Sequence, residues 1–333
     1  MITTFLATLN PMLMLFTCIA IGFLLGKLKI LPENSSTVLA KIETWVFCPA
    51  LSFYTMSFFC TVDNIGGHIV NIALSSFGVV IALIIAITLA KFFVKQNTYE
   101  RNVYKYALAF GNNGYVGDPL AQALVGDVGL AYYKLFCLPI SVVVYSWGIN
   151  TLVPKENRQG KSPLKSLINA PMVALLVGMV VGLLGVGEFL MGPMDNHNFF
   201  GNTVNNLKAC MGPVAMLIAG LTVAKYDFLP MLKNVKVYVA SAFRLIIIPV
   251  VIITCVYGLK ELINIAFGLN IDNFVLRLVF FAVGAPLGLN TVVFPEAFGG
   301  NAKTGASMAM VSHTLCVITI PLMYALLCSV FPV

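Results

Sequence analysis

The sequence predicts an all-α integral membrane protein, with about ten transmembrane helices in two inverted five-helix repeats. First, the 333-residue chain is 59% apolar and 10% charged, whereas a soluble domain is roughly half apolar and about a quarter charged. Second, the apolar residues come in runs of ~20, the length that crosses a hydrocarbon core ~30 Å thick. Third, the basic residues alternate between connections. Lys27, Lys29 and Lys41 flank the first, Lys91, Lys95, Arg101 and Lys105 the third, and Lys155, Arg158, Lys161 and Lys165 the fifth. Lys225, Lys233 and Lys236 mark the seventh and Lys303 the ninth, while residues 61–67 and 126–129 contain neither Lys nor Arg. Positive loops stay on the cytoplasmic side, so a multi-pass protein of the cell (inner or plasma) membrane with both termini outside is expected.

In chain order, spans are expected over residues 5–26, 36–59, 69–93, 103–125 and 130–152. A basic cytoplasmic loop follows at 153–165, then spans at 166–186, 202–224, 237–259, 274–298 and 304–330. Helix is assigned throughout because an unpaired backbone group in lipid costs several kcal/mol, which leaves only helices and closed barrels. The runs are too long and too uniformly apolar for barrel strands. The first run has no basic residue ahead of it and no small-residue cleavage site after it, so it reads as a retained span and not a signal peptide.

The central loop divides the chain into repeats at 1–152 and 166–333. Five spans per half place the second half upside down relative to the first. The halves also echo each other locally: CPALSFYTMS at 48–57 has a counterpart in MGPVAMLIAG at 211–220.

Composition excludes several function classes. The net charge of +7 resides in short loops between apolar runs, which marks topology and not a phosphate-binding face, so nucleic acid is not expected as a partner. The eight cysteines lack metal-ligand spacing and read as packing residues. His68, His197 and His313 are too scattered for a metal site. Neither a metal nor a cofactor is expected. No nucleophile elbow, phosphate loop or zinc-protease motif is present, which leaves an intramembrane enzyme or a receptor for a small anion as lesser alternatives to a carrier.

Two spans are interrupted at mid-membrane depth. The fourth contains AFGNNGYVGDPL at 109–120, where Gly111, Asn112, Asn113, Gly114, Gly117 and Pro119 oppose continuous helix. Proline removes an N–H and clashes with the carbonyl four residues back, and each glycine costs ~1 kcal/mol in a helix. The ninth contains GAPLGLNTVVFPEAFGGN at 284–301, with Pro286, Gly288, Asn290, Thr291 and Pro295 as interrupters. Matched breaks in inverted halves point to a secondary transporter and to its site. Asn112, Asn113, Asn290 and Thr291 are the candidate substrate ligands. Gly117, Pro119, Pro286 and Gly288 shape the expected crossing, and Pro119 suits the first turn of a half-helix whose N–H groups attract an anion.

Asp118 and Glu296 are read as the intramembrane carboxylates, each beside a break proline. A charge at that depth is expensive and is expected to be functional or paired, unless it lies near the membrane surface. Asp118 is the candidate coupling residue, with a proton or sodium as the ion. Arg244 either neutralises a substrate carboxylate in a bidentate pair or snorkels to the cytoplasmic face. Lys134, Lys208 and Arg277 are read as interfacial, and His313 as a packed histidine.

At these residues the chain resembles a bacterial member of the auxin efflux carrier family, related to the plant PIN-type carriers. The similarity is carried by Asn112, Gly117, Pro119 and Leu120, by Pro49-Ala-Leu-Ser-Phe, by INAPMVALLVGMVVGL at 168–183, and by Gly212 and Pro213. Pro286 and Asn290, Thr314 and Pro321, and Arg244 and Pro249 extend it over essentially the whole chain. The resemblance implies two inverted repeats crossing at the substrate site, a scaffold with a mobile bundle moving as an elevator, and a homodimer. It also implies a small organic anion as substrate: auxin in plants, malonate, malate and similar carboxylates in bacteria. The chain departs from the family pattern at Asp118, where an apolar residue is usual, at Pro295, where a small one is usual, and at His313 beside Thr314.

Overall fold

The computed structural model describes residues 2–96, 98–154, 168–226, 233–298 and 300–333. It is all-helical among these residues apart from one isolated two-residue bridge. Helix α1 (Ile2–Lys27) is followed by α2 (Ser35–Ile42) and α3 (Cys48–Phe59), joined end to end through a widened turn at Glu43–Phe47, and then by α4 (Ile65–Phe93). Next come α5 (Tyr99–Ala109), α6 (Asp118–Phe136), α7 (Leu138–Val143) and α8 (Ile149–Leu152). The second half contains α9 (Ala170–Leu183), α10 (Gly187–Met191), α11 (Phe199–Ala224), α12 (Val235–Ala242), α13 (Ile248–Phe267), α14 (Phe274–Val283), α15 (Asn290–Phe298) and α16 (Lys303–Val330). Most of the loop expected at 153–165 lies outside the described residues.

Among the described residues, five stretches are each long and apolar enough to cross a bilayer: α1, α4, α11, the continuous run Val235–Phe267 and α16. A sixth candidate is the pair Asn113–Phe136 and Leu138–Leu152, bent by 41°. The remaining expected spans are shorter or divided. α9 has 14 residues and α14 has 10, less than the ~20 a straight span requires. The spans expected at 103–125 and 274–298 are each two half-helices.

The turn expected at 126–129 is centred on Gly126. Its φ of 70° and ψ of −174° interrupt α6, a conformation that favours glycine. The chain folds back here. Asp118 and Lys134 would be ~24 Å apart along sixteen residues of continuous helix, yet their side chains form an ion pair.

The helices pack into two bodies. In one, α1 lies along α11, and α3 along α9 and α11. In the other, α4 packs on α5, α6 and α13, and α14 on α6 and α13; α16 bridges, touching both α1 and α12. The contact of α1 with α11 is close because a Cβ at Gly22 would strike the Leu217 carbonyl oxygen, and one at Gly220 the Ile19 carbonyl oxygen. Small residues let helix backbones approach where no hydrophobic force separates helix from lipid. The outer surface carries Leu13, Met14, Ile84, Phe92, Ile265 and Ile318 exposed, an apolar face far larger than a soluble monomer shows and suited to acyl chains.

Gly220→Ala therefore forces α1 and α11 apart and should lower the thermal unfolding temperature in detergent, with a cost of about 1–3 kcal/mol. Gly258→Ala, in α13 with no atom within 4 Å of its Cβ position, should leave it unchanged or raise it.

Candidate functional site

The two breaks meet and satisfy each other. α5 ends at Ala109 and the chain extends at Phe110, with φ −120° and ψ 133°. The Asn112 N–H donates to the Pro286 carbonyl at 2.7 Å, and the Gly288 N–H to the Phe110 carbonyl at 3.3 Å. Gly111 and Leu287 thus form an antiparallel bridge, a minimal sheet inside a helical protein. The Leu287 N–H finds Ser312 Oγ at 3.2 Å. Helix resumes on one side through the widened turn Asn113–Gly117 into α6, with Pro119 in its first turn, and on the other at Asn290. Gly117 permits the approach of Tyr133, whose hydroxyl a Cβ would strike.

Four widened turns surround this crossing: Glu43–Phe47, Asn113–Gly117, Val144–Gly148 and Phe243–Ile247. Three of them immediately precede a residue-proline pair, at Pro49, Pro119 and Pro249. Proline lacks the N–H for an ordinary helical bond, and i→i+5 bonding just before it accommodates the gap. Such turns cluster at functional sites. Here they carry Glu43, Asn113, Tyr145 and Arg244.

A cavity of about 200 Å³ lies against the crossing. Glu43, Asn112, Asn113, Asp118, Lys134 and Asn290 line it, together with Tyr106, Tyr115 and Tyr145, and it reaches Asn169 at the start of α9. The two helical segments that begin at the crossing start at Asn113, through the widened turn into α6, and at Asn290, in α15, and both residues line the cavity. Unpaired N–H groups and the helix dipole make such ends attractive to anions.

The asparagines are held in distinct ways. His313 Nδ1 faces the Ala309 carbonyl at 2.7 Å, so this nitrogen carries the proton. Nε2 then accepts from Asn112 Nδ2 at 3.0 Å, which fixes the Asn112 amide. Asn290 Nδ2 donates to the Tyr106 hydroxyl at 2.9 Å. Asn113 Oδ1 is buried without a hydrogen-bond partner among the described residues. Thr291 is fully buried, and its hydroxyl donates to the Gly288 carbonyl at 2.8 Å, satisfying the backbone just before α15. Pro295 lies within α15 and does not break it.

The charges differ from expectation in three respects. Lys134 is not interfacial: it is 8% exposed and forms a buried ion pair with Asp118, itself 3% exposed. Lys208 is also buried, donating to Asp127 at 3.0 Å with its ammonium 3.7 Å from the Tyr54 ring centre. Glu43 is a further buried carboxylate, 3% exposed, which its position two residues after Lys41 disguises as interfacial. The Glu296 side chain lies outside the described residues.

Arg244 does not snorkel. It is fully buried, and none of its three nitrogens has a hydrogen-bond partner among the described residues. A Cβ at Gly111 would strike its Nη2 and lie 3.1 Å from both Ala285 O and Asn113 Oδ1. The guanidinium thus sits behind the crossing, where α5 and α14 end, and opposes the partial negative charge of two helix C-termini.

The model of the family described as membrane transport protein matches residues 7–324. An uncharacterised transporter of Methanocaldococcus jannaschii is 24% identical over 327 residues, covering 94% of this chain and 97% of that protein.

Removing one member of the buried ion pair leaves its partner uncompensated, at a cost of about 3–5 kcal/mol. Lys134→Met should lower the unfolding temperature sharply, whereas the double variant Lys134→Met/Asp118→Asn should recover most of the loss, as read by thermal melts in one detergent.

Proposed function

The chain belongs to the membrane transport protein family, that of the auxin efflux carriers, and is a transporter, not an enzyme; on that premise we propose that it is a secondary carrier for a small organic anion. The favoured substrate is a compact carboxylate such as malate or malonate. The observation that carries this reading is the convergence on one polar cavity of two helix starts, at Asn113 (the turn that leads into α6) and at Asn290 (α15). A carboxylate placed between them accepts from orphan N–H groups and gains from both dipoles. Asn112, Asn113 and Asn290 supply further polar contacts, and the tyrosine hydroxyls can donate to carboxylate oxygens.

The motion we propose is an elevator-type exchange of access. The body containing the crossing slides against the α1–α3–α9–α11 body, carrying the substrate between the two sides. The cavity reaches Asn169, on the side of the basic connections, which favours an inward-facing state if those connections are cytoplasmic. The Lys208–Asp127 pair then joins the two bodies on the outer side. In the inner membrane of a bacterial cell, both termini would lie outside, so a C-terminal alkaline phosphatase fusion should be active and a C-terminal green fluorescent protein fusion dark.

Counterflow of labelled malonate and malate in proteoliposomes tests the carrier reading. The wild type should show saturable exchange, and Asn112→Ala should reduce it at least tenfold while unfolding within a few degrees of the wild type. Exchange of neither compound by folded, inserted protein would reject the dicarboxylate assignment.

A further inference from the structure

The charges lining the cavity do not balance. Lys134 is bonded to Asp118, so these two cancel. Glu43 contributes a second carboxylate, and no cation is bonded to it among the described residues. From the crossing it faces the Tyr115 hydroxyl and the Asp118 carboxylate, and from the far arm of α6 it faces Lys134. Cys48 at the end of its own turn and Tyr145 of Val144–Gly148 complete the titratable groups near it. Two further helices pack on the Glu43–Phe47 turn. α9 contains no ionisable residue, and the Lys208 of α11 is directed to Asp127 and Tyr54. On α2, Lys41 is exposed.

We propose that Glu43 is a proton-binding site through which this protein takes up a proton together with its substrate anion. The inference rests on the carrier reading above and names its coupling ion and residue. With Glu43 ionised, the side chains that line the cavity carry one negative charge in excess (Arg244 stands behind the crossing and does not line it), and that charge opposes an entering carboxylate. With Glu43 protonated the excess is gone, and the two half-helix N-termini act on the anion unopposed. Proton and anion therefore favour each other's binding, and the coupling is reciprocal by linkage. The proton comes from water in the cavity, rests on a carboxylate oxygen of Glu43, and returns to water when the anion leaves.

Asp118 fits this role less well. Protonating it would strand the Lys134 ammonium in a buried site, a costly state. Position also favours Glu43. It stands on the α1–α3–α9–α11 body, whereas the Asp118–Lys134 pair stands on the body of the crossing, so sliding of one body past the other changes the field that Glu43 feels.

Acid-minus-alkaline infrared difference spectra of the reconstituted protein test the site without any substrate. The expected result is a protonated-carboxyl C=O band that is lost in Glu43→Gln, kept in Asp118→Asn and shifted in Glu43→Asp. A band that survives Glu43→Gln, or the absence of any titrating carboxyl in the wild type, overturns the proposal. In the same vesicles, the half-saturation concentration for labelled malonate should rise about tenfold per pH unit above the transition, as one linked proton requires, and Glu43→Gln should flatten this slope. Accumulation of malonate by Glu43→Gln down a pH gradient also overturns it. If wild-type protein exchanges neither malonate nor malate but shows the Glu43 band, the dicarboxylate assignment fails and the proton site stands.

Discussion

Every backbone N–H and C=O inside a bilayer must find a partner within the protein, and the rest of this structure depends on that constraint. Two helices stop in the interior of the molecule, at Ala109 and at Val283, and in a bilayer neither break could persist alone. Each supplies what the other lacks: Phe110 and Asn112 pair with Gly288 and Pro286 across the Gly111–Leu287 bridge. Side chains complete the work where backbone cannot. Ser312 takes the Leu287 N–H, and Thr291 gives its hydroxyl to Gly288. The same pairing brings two helix C-termini together on one side, where Arg244 opposes them. On the other side it brings two N-termini together at the cavity.

Proline shapes the surroundings of the crossing by a related route. Pro49, Pro119 and Pro249 each remove one helical donor, and a widened turn precedes each. A widened turn rotates the residues that follow relative to an ideal helix and places a side chain where regular spacing would not. Glu43, Asn113 and Arg244 occupy such turns, so the polar residues at the centre of the molecule are tied to the backbone defects that prolines create. The fourth such turn, at Val144–Gly148, supplies Tyr145 and has no proline immediately after it; the structure offers no comparable cause for it.

Much of this was legible in the sequence, because hydropathy and the placement of Gly, Pro and Asn are local signals. The apolar runs located the long helices, and the breaks at 109–120 and 284–301 were visible as clusters of residues that oppose helix. The connection expected at 126–129, between two apolar runs, holds the turn at Gly126. What escaped was what depends on tertiary proximity. Lys134 looked interfacial because it lies near the start of its run; the expected turn at 126–129 makes the two runs antiparallel but does not fix the register that brings Lys134 to Asp118. Glu43 was overlooked because it follows Lys41 closely at the start of an apolar run. Thr291 has the chemistry of a ligand, yet its hydroxyl serves its own backbone. Two opposite charges within neighbouring apolar runs, Asp118 and Lys134, were the one sequence signal that could have revealed the ion pair.

The central claim is that the paired breaks form the substrate site. It is tested most directly by labelling a single cysteine at Gly114, which lines the cavity and whose Cβ position is open. In a background with the native cysteines replaced, the account predicts that Gly114→Cys reacts with a small maleimide and that a substrate identified by counterflow slows the reaction in a saturable way, at concentrations matching its half-saturation. Labelling that proceeds at the same rate with and without saturating substrate would contradict it.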